Sequence, residues 1–451
     1  MTDPLLLAAA TEATARDRSR TLEEPKWLLD ERLDAIRRVA ELPNESNTLW
    51  TTYLDLRALR FGEIEPYATV GVAGTAGEAA LPEGAAALLH VREDTIVACV
   101  LSPEAHAGGV FVGTFVEALA SRPEVLRAAI EGGRSLPLGD RFGQTARAIA
   151  ALGVLVHVPD GVALAGPIVV RWSIGAPGRA LLSRTVVVLG AGARASLFEE
   201  LVSPNGATPA PDSPQSQWWG TLEVSVGEGA TLDVAGEQDF GARTAAFVTR
   251  QATLEPDAAL RWALAQVGGL FVKSRIDNRL TGNGSRVHQA EIAFGGAAQL
   301  FDLSSYTRHV GTDTTGDLLM RGVFGERARG HIKGLIVIER SARGTDSYLG
   351  EFGMLLSKKA RSVTIPSLEI DQPNVRRASH ASSVAPIDEA QVFYFMTRGV
   401  PEDVARKAIT LAFLEPVVAR IPLLEAQERL RDLLEAKWAS AHGVTSIGQA
   451  A

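Results

Sequence analysis

A chain of 451 residues is too long for one compact core of ordinary size unless it grows in one direction, as a solenoid does. Its 43 glycines against 15 phenylalanines favour a turn-rich β architecture, and a net charge of −8 excludes a general nucleic-acid surface, which needs a basic face. The single cysteine, Cys99, excludes an intramolecular disulfide and a metal cage built from this chain's thiolates alone.

At the N-terminus Asp3 stands where a signal peptide carries basic charge. The apolar run from Leu5 to Ala10 is too short to span a membrane, so a cytoplasmic protein with no membrane partner is expected. Within 25–60, Leu28, Leu29, Leu33, Ile36, Val39 and Leu42 recur at helical spacing and predict an amphipathic helix ending at Pro43. A second helical stretch covers about 115–152, broken near Pro123 and at Gly132-Gly133, before Val154 opens an extended segment. These signals divide the first third into an N-terminal helical region, 1–80, and a mixed α/β region, 81–153, that leads into the core.

Over 154–385 short apolar strands alternate with small, glycine-bearing turns, and no helical stretch intervenes. The turns resemble one another: Gly192-Ala193-Arg194, Gly229-Ala230-Thr231, Gly284-Ser285-Arg286 and Lys359-Ala360-Arg361. A small residue wherever the chain corners, without crossover helices, predicts stacked coils in a β-helix. A β-sandwich needs regular hairpin turns, and Asp160-Gly161, Asn205-Gly206 and Asn283-Gly284 are too far apart to supply them. The stretch 203–217, rich in Pro and Ser, reads as one long loop, and Lys358-Lys359-Ala360-Arg361 reads as a guarded strand edge. Beyond 385 a C-terminal helical domain, 386–451, is predicted. One helix opens at Pro401-Glu402-Asp403, and a last one over about 423–440 carries Leu424, Leu430, Leu433 and Leu434 on one face.

Enzyme signatures fail on context. Gly190-Ala191-Gly192 follows a strand as in a dinucleotide site, but Pro204 leaves too little chain for the helix that would face a phosphate. No phosphate-binding loop of the G-x-x-x-x-G-K type occurs. His288 and Glu291 lie an odd number apart and so face opposite sides of a strand, and Ser379 and His380, being adjacent, also point apart. A β-helix enzyme acting on carbohydrate, the alternative reading, needs grouped carboxylates, for which Asp302, Asp313 and Asp317 are the candidates.

From His331 to Ile421 the order of short blocks is distinctive: Lys333-Gly334-Leu335-Ile336-Val337-Ile338-Glu339, Thr345-Asp346-Ser347, Ile365-Pro366-Ser367-Leu368-Glu369-Ile370 and Ala378-Ser379-His380-Ala381-Ser382-Ser383-Val384. They are followed by Ile387-Asp388-Glu389 and by Phe393-Tyr394-Phe395-Met396-Thr397-Arg398-Gly399-Val400. This series resembles the SufB/SufD family of iron–sulfur cluster assembly proteins. Upstream, Val158-Pro159-Asp160-Gly161-Val162 with Pro167-Ile168 is similar to the family's entry into its β-helix, and Trp50 with Leu54-Asp55-Leu56 to its N-terminal helical region.

The resemblance implies a mainly β fold, a right-handed parallel β-helix flanked by N-terminal and C-terminal helical regions. It implies a scaffold with no turnover of its own, pairing with a SufB-like subunit and binding a SufC-like ABC-type ATPase. With no cysteine in the matching region and Ser379-His380 in place, the chain follows the SufD branch. His380 is then the position implied to face the SufB-like subunit at the nascent cluster, where an imidazole can ligate iron or shuttle a proton. Many relatives place a cysteine two residues earlier; here it is Ala378. Ala405, Ile409 and Phe413 are the implied ATPase-facing residues, and Phe393, Tyr394 and Arg398 are expected to pack the C-terminal helices onto the last coil. No cofactor is expected on the isolated chain. An iron–sulfur cluster would be held transiently in the complex, and whether a flavin also binds is left open.

Overall fold

A computed structural model describes residues 7–45, 47, 48, 50, 53–73, 81–204, 210, 212–421 and 424–441. From Leu152 the chain winds through eight coils, each giving one strand to a front sheet and one to a back sheet. The first coil joins Leu152–Val158 to Ile168–Ser173, and the eighth joins Arg361–Ile370 to Arg377–Pro386. Each strand lies parallel to the equivalent strand of the neighbouring coil, so the core is the expected parallel β-solenoid. In the back sheet Arg286 sits beside Thr315 and Thr315 beside Asp346, offsets of 29 and 31 residues. That unequal repeat is why periodicity is faint in the sequence.

Alternation along each strand sends every second side chain into the lumen, where Val272, Ile276 and Leu280 of the front sheet meet Val287 and Ala293 of the back sheet. The corners need small residues because successive coils touch there backbone to backbone. A Cβ on Gly282 would stand 2.0 Å from the Pro256 nitrogen, and one on Gly311 would stand 2.4 Å from the Gly282 oxygen.

The N-terminal end of the solenoid is covered. Phe111–Thr114 runs antiparallel to the first front strand, while Ala87–Arg92 continues the back sheet in parallel and pairs antiparallel with Thr95–Leu101. The helix Arg141–Ile149, capped by the Asp140 carboxylate, lays Phe142 on Trp219 and Phe247 of the outer front sheet, at centroid distances of 5.7 and 4.9 Å. Against it packs Lys26–Glu41, tied by the buried Arg147–Glu31 pair. The predicted first helix ends there, and the described residues from 42 to 60 form no further α-helix, since Pro43 and Asn44 break the pattern. Of the predicted loop, 205–209 and 211 lie outside the described residues, and its end is already strand from Ser216.

After the last coil come Glu389–Met396, Glu402–Val418 and Leu424–Ala441. The latter two cover the outer face of the back sheet, setting Leu414, Val417, Leu430, Leu434 and Trp438 against Ala263, Ala290, Ile292, Phe294 and Val323.

Candidate functional site

Among the described residues no further strand follows the last coil at the C-terminal end of the solenoid. Arg361–Ile370 and Arg377–Pro386 are the terminal strands of the two sheets, and most of their residues are exposed or half-exposed. The ladder bonds fix which groups are free. Arg361 N–H donates to the Ala328 carbonyl, Asp371 N–H to Ile338, Arg377 N–H to Thr345 and Ile387 N–H to Leu355. Arg376 N–H, just before the back strand, shares the Thr345 carbonyl; within the two strands odd-numbered residues bond back to the seventh coil, and even-numbered ones turn their N–H and C=O outwards. Pro366, which has no N–H, occupies one of the even positions, where the ladder loses nothing.

His380 lies midway along this edge and is exposed. It stands in register with Leu349, a residue of the interior core, so its side chain belongs to the lumen side at the open mouth. Ser379, one residue away, belongs to the opposite face, and no nucleophile–base pair forms. Among the described residues no group of three or more His, Cys, Asp or Glu could hold a metal.

Beneath the mouth the lumen contains buried polar groups that the sequence reading missed. Arg250 pairs with Glu199. Ser274 donates to Glu291 at 2.8 Å, and Asn278 donates to Gln289 at 3.0 Å and to Thr307 at 3.1 Å. His309 lies between Thr314, 2.8 Å away, and Ser347, 3.0 Å away, and burial pushes its imidazole down to about 4, so it stays neutral at ordinary pH. The signal in the sequence is a polar residue at a lumen-facing position of an otherwise apolar strand, and it becomes readable only once the coil register is known.

The other sequence candidates separate. His288 is on the outer face, 3.6 Å from Asp317, while Glu291 points into the lumen. Asp302 is buried on the outer face of the front sheet between Lys273, at 3.0 Å, and Lys333, at 2.7 Å. Asp313 pairs with Arg376 in a corner, and Asp317 meets Arg420 at 3.3 Å on the back sheet. These three carboxylates form no grouped pair. Gly190–Ala193 is a corner between two strands, with no helix to face a phosphate. Cys99 is exposed in Thr95–Leu101, at the covered end of the solenoid, away from the last coil.

In the C-terminal helices Ala405 is fully buried, Ile409 is half-buried beside it, and Phe413 is half-buried against the back sheet with Arg321 over its ring at 4.9 Å. Here one expectation is corrected. Phe393 and Tyr394 do not pack the helices onto the last coil, for they are 66% and 55% exposed. The helix Glu389–Met396 turns Val392 and Phe395 inwards onto Ile387, Met354 and Leu356, and its 3.6-residue period sends Phe393 and Tyr394 outwards, with Arg398 stacked on Tyr394 at 4.4 Å. Met396 and Val404 extend this apolar surface.

No helix among the described residues is long and apolar enough to cross a membrane. The family model described as "SUF system FeS cluster assembly, SufBD core domain" matches residues 172–413, over half of the chain. The iron–sulfur cluster assembly protein SufB of Bacillus subtilis is 23% identical over 439 residues, covering 93% of this chain and 91% of its own length. SufBD family iron–sulfur cluster assembly proteins of Staphylococcus haemolyticus and Staphylococcus epidermidis each align over 439 residues, also at 23% identity. With its β-solenoid, its open last coil and this match over the core, the chain belongs to the SufBD family of iron–sulfur cluster assembly proteins.

Proposed function

We propose that this chain is a SufD-like, cytoplasmic scaffold subunit without turnover of its own, which pairs with a SufB-like subunit and holds a SufC-like ABC-type ATPase. The observation that carries the reading is the open last coil: two parallel edge strands, ten residues each, with His380 at the lumen mouth. Free edges of that length invite strand addition, and proteins that do not use them shorten, twist or charge them. Here the back edge is Ala378-Ser379-His380-Ala381-Ser382-Ser383, with small side chains beside the histidine and no Lys, Arg, Asp or Glu. Thiolates hold iron–sulfur clusters, and the one cysteine of this chain lies at the other end of the solenoid, so the thiolates at His380 must be a partner's. The cluster is then cargo at the joint between two subunits, with His380 the contribution of this one.

Co-purification of the tagged chain from its host tests this. SufB-like and SufC-like partners are expected with iron and sulfide. His380→Ala should keep the partners while iron and sulfide fall roughly tenfold or more, as when a metal ligand or its support is lost. Recovery of the chain alone and without iron, or hydrolase activity in the pure protein, would overturn the reading.

Ala405 is buried and Ile409 and Phe413 are half-buried, so the surface offered to the ATPase is carried by Phe393, Tyr394, Met396 and Val404. Exposed aromatic anchors dominate such interfaces, at about 2 kcal/mol or roughly 30-fold in affinity for each. Phe393→Asp with Tyr394→Asp is therefore expected to strip the ATPase from the purified complex and leave the SufB-like subunit bound. Retention of the ATPase by this double variant would place its site elsewhere.

A further inference from the structure

One coil below the mouth, alternation along Asp346–Leu355 puts Glu351 in the lumen, between Met320 of the coil beneath and Ser382 of the last coil. It is fully buried, and no side chain pairs with either of its oxygens. The facing strand makes room for it with a glycine, since a Cβ on Gly334 would stand 2.7 Å from Glu351 Oε1. Among the described residues the lid over this carboxyl is the last coil, whose two strands are the terminal strands of their sheets.

The charged and titratable groups around it leave it largely uncompensated. Lys333, next to Gly334, faces the outer side of the sheet and is engaged by Asp302 and Glu45. His309 is held by Thr314 and Ser347, and Glu291, beyond Met320, by Ser274 and Gln266. His380 occupies the adjacent lumen position of the last coil, over Leu349. Burial accordingly pushes the Glu351 carboxyl up to about 8, with the Ile365 N–H and the Lys333 ammonium opposing it only in part.

We propose that Glu351 makes closure of the last coil proton-dependent: the coil seals over the neutral acid and opens to admit water when the proton leaves. The sign follows from linkage. In the closed state the proton is held up to about pH 8, and in an opened coil it leaves near the ordinary glutamate value of about 4.3. Opening is therefore independent of pH below that ordinary value, rises by up to about tenfold per pH unit between the two, and levels off above about pH 8. The edge that carries His380 is tightest when Glu351 is protonated. This holds for the isolated chain and goes beyond the partner reading.

Hydrogen–deuterium exchange of the full chain, from about pH 6 to about pH 9 and corrected for intrinsic rates, tests it on peptides 361–370 and 377–386 with 271–280 as the internal control. Opening of the last coil should climb towards about pH 8 and then flatten, the control should not follow, and Glu351→Gln should remove the climb. The same climb in Glu351→Gln, or none in the unmodified chain, overturns the inference. Should that variant fail to fold, the infrared carbonyl stretch of a protonated carboxyl in the unmodified chain decides. A band present at neutral pH and lost near pH 8 in step with the climb in exchange of 361–370 and 377–386 supports the inference, and its absence at neutral pH overturns it. Neither measurement contains a partner, so their outcome is separate from that of the co-purification.

Discussion

Asp302→Ala is expected to destabilise the fold by about 3–5 kcal/mol, the usual consequence of removing one partner from a buried ion pair. Asp302 is fully buried and accepts from Lys273 at 3.0 Å and Lys333 at 2.7 Å. Glu45, from the segment after the helix Lys26–Glu41, completes the cluster at 3.3 and 3.1 Å from the same two ammonium groups. Without Asp302 two buried ammonium groups share one carboxylate, and the loop that brings Glu45 loses half of its reason to stay on the sheet. Burial alone would raise the Asp302 carboxyl, yet the two lysines hold it well below the usual carboxylate range. A depressed folded-state value means that the stabilisation is present above the unfolded value of about 3.9 and is lost as pH falls through the folded one. Urea midpoints should therefore differ most at neutral pH and converge as the pH drops below about 4. Replacing all four members by Met, Leu and Gln of similar volume should recover most of the loss. A loss below about 1 kcal/mol for Asp302→Ala would show that the cluster is solvated and contributes little.

How much of this was legible beforehand follows the range of the interactions. The coils were readable because the corners impose a local rule, a small residue at positions such as Gly282 and Gly311, that any chain with this stacking obeys. Helix Glu402–Val418 was readable from Pro401 and the acidic first turn. Helix Glu389–Met396 was not, because Phe393-Tyr394-Phe395-Met396 has the composition of a strand, and only the Asp388 cap gives it away. Lys333 illustrates the opposite limit. Within Lys333-Gly334-Leu335-Ile336-Val337-Ile338 it reads as the polar end of an apolar strand, and nothing nearby announces that it is buried against a glutamate 288 residues away. The position of His380 was implied by resemblance, but its setting depends on the coil count, since among the described residues no ninth coil follows to cover it.

The parity of the last coil gives a sharper test of the proposed pairing than removal of any side chain. Ser382 and Ser383 are neighbours of the same type, both exposed, in the same strand. By the register and parity of the ladder they differ in where their N–H points: Ser383, odd-numbered, faces the seventh coil, and Ser382, even-numbered, points off the edge. Proline removes the donor at either site. Ser383→Pro deletes a ladder bond and strands a buried acceptor, so it should lower the stability of the last coil by about 1–3 kcal/mol, visible as lost hydrogen-exchange protection in 361–370 and 377–386 of the isolated chain. Ser382→Pro should leave that protection intact, just as Pro366 sits at an even position in the other edge strand. Against a SufB-like partner the effect of Ser382→Pro is much larger, because strand addition depends on the outward N–H groups and has no room for a proline ring at the joint. Affinity is expected to fall about 10- to 100-fold, corresponding to about 1.4–2.8 kcal/mol. Equal partner affinity for Ser382→Pro and the unmodified chain would mean that the subunits meet through side chains alone. The edge would then be free for another purpose, and the smallness of Ala381, Ser382 and Ser383 would need a different cause.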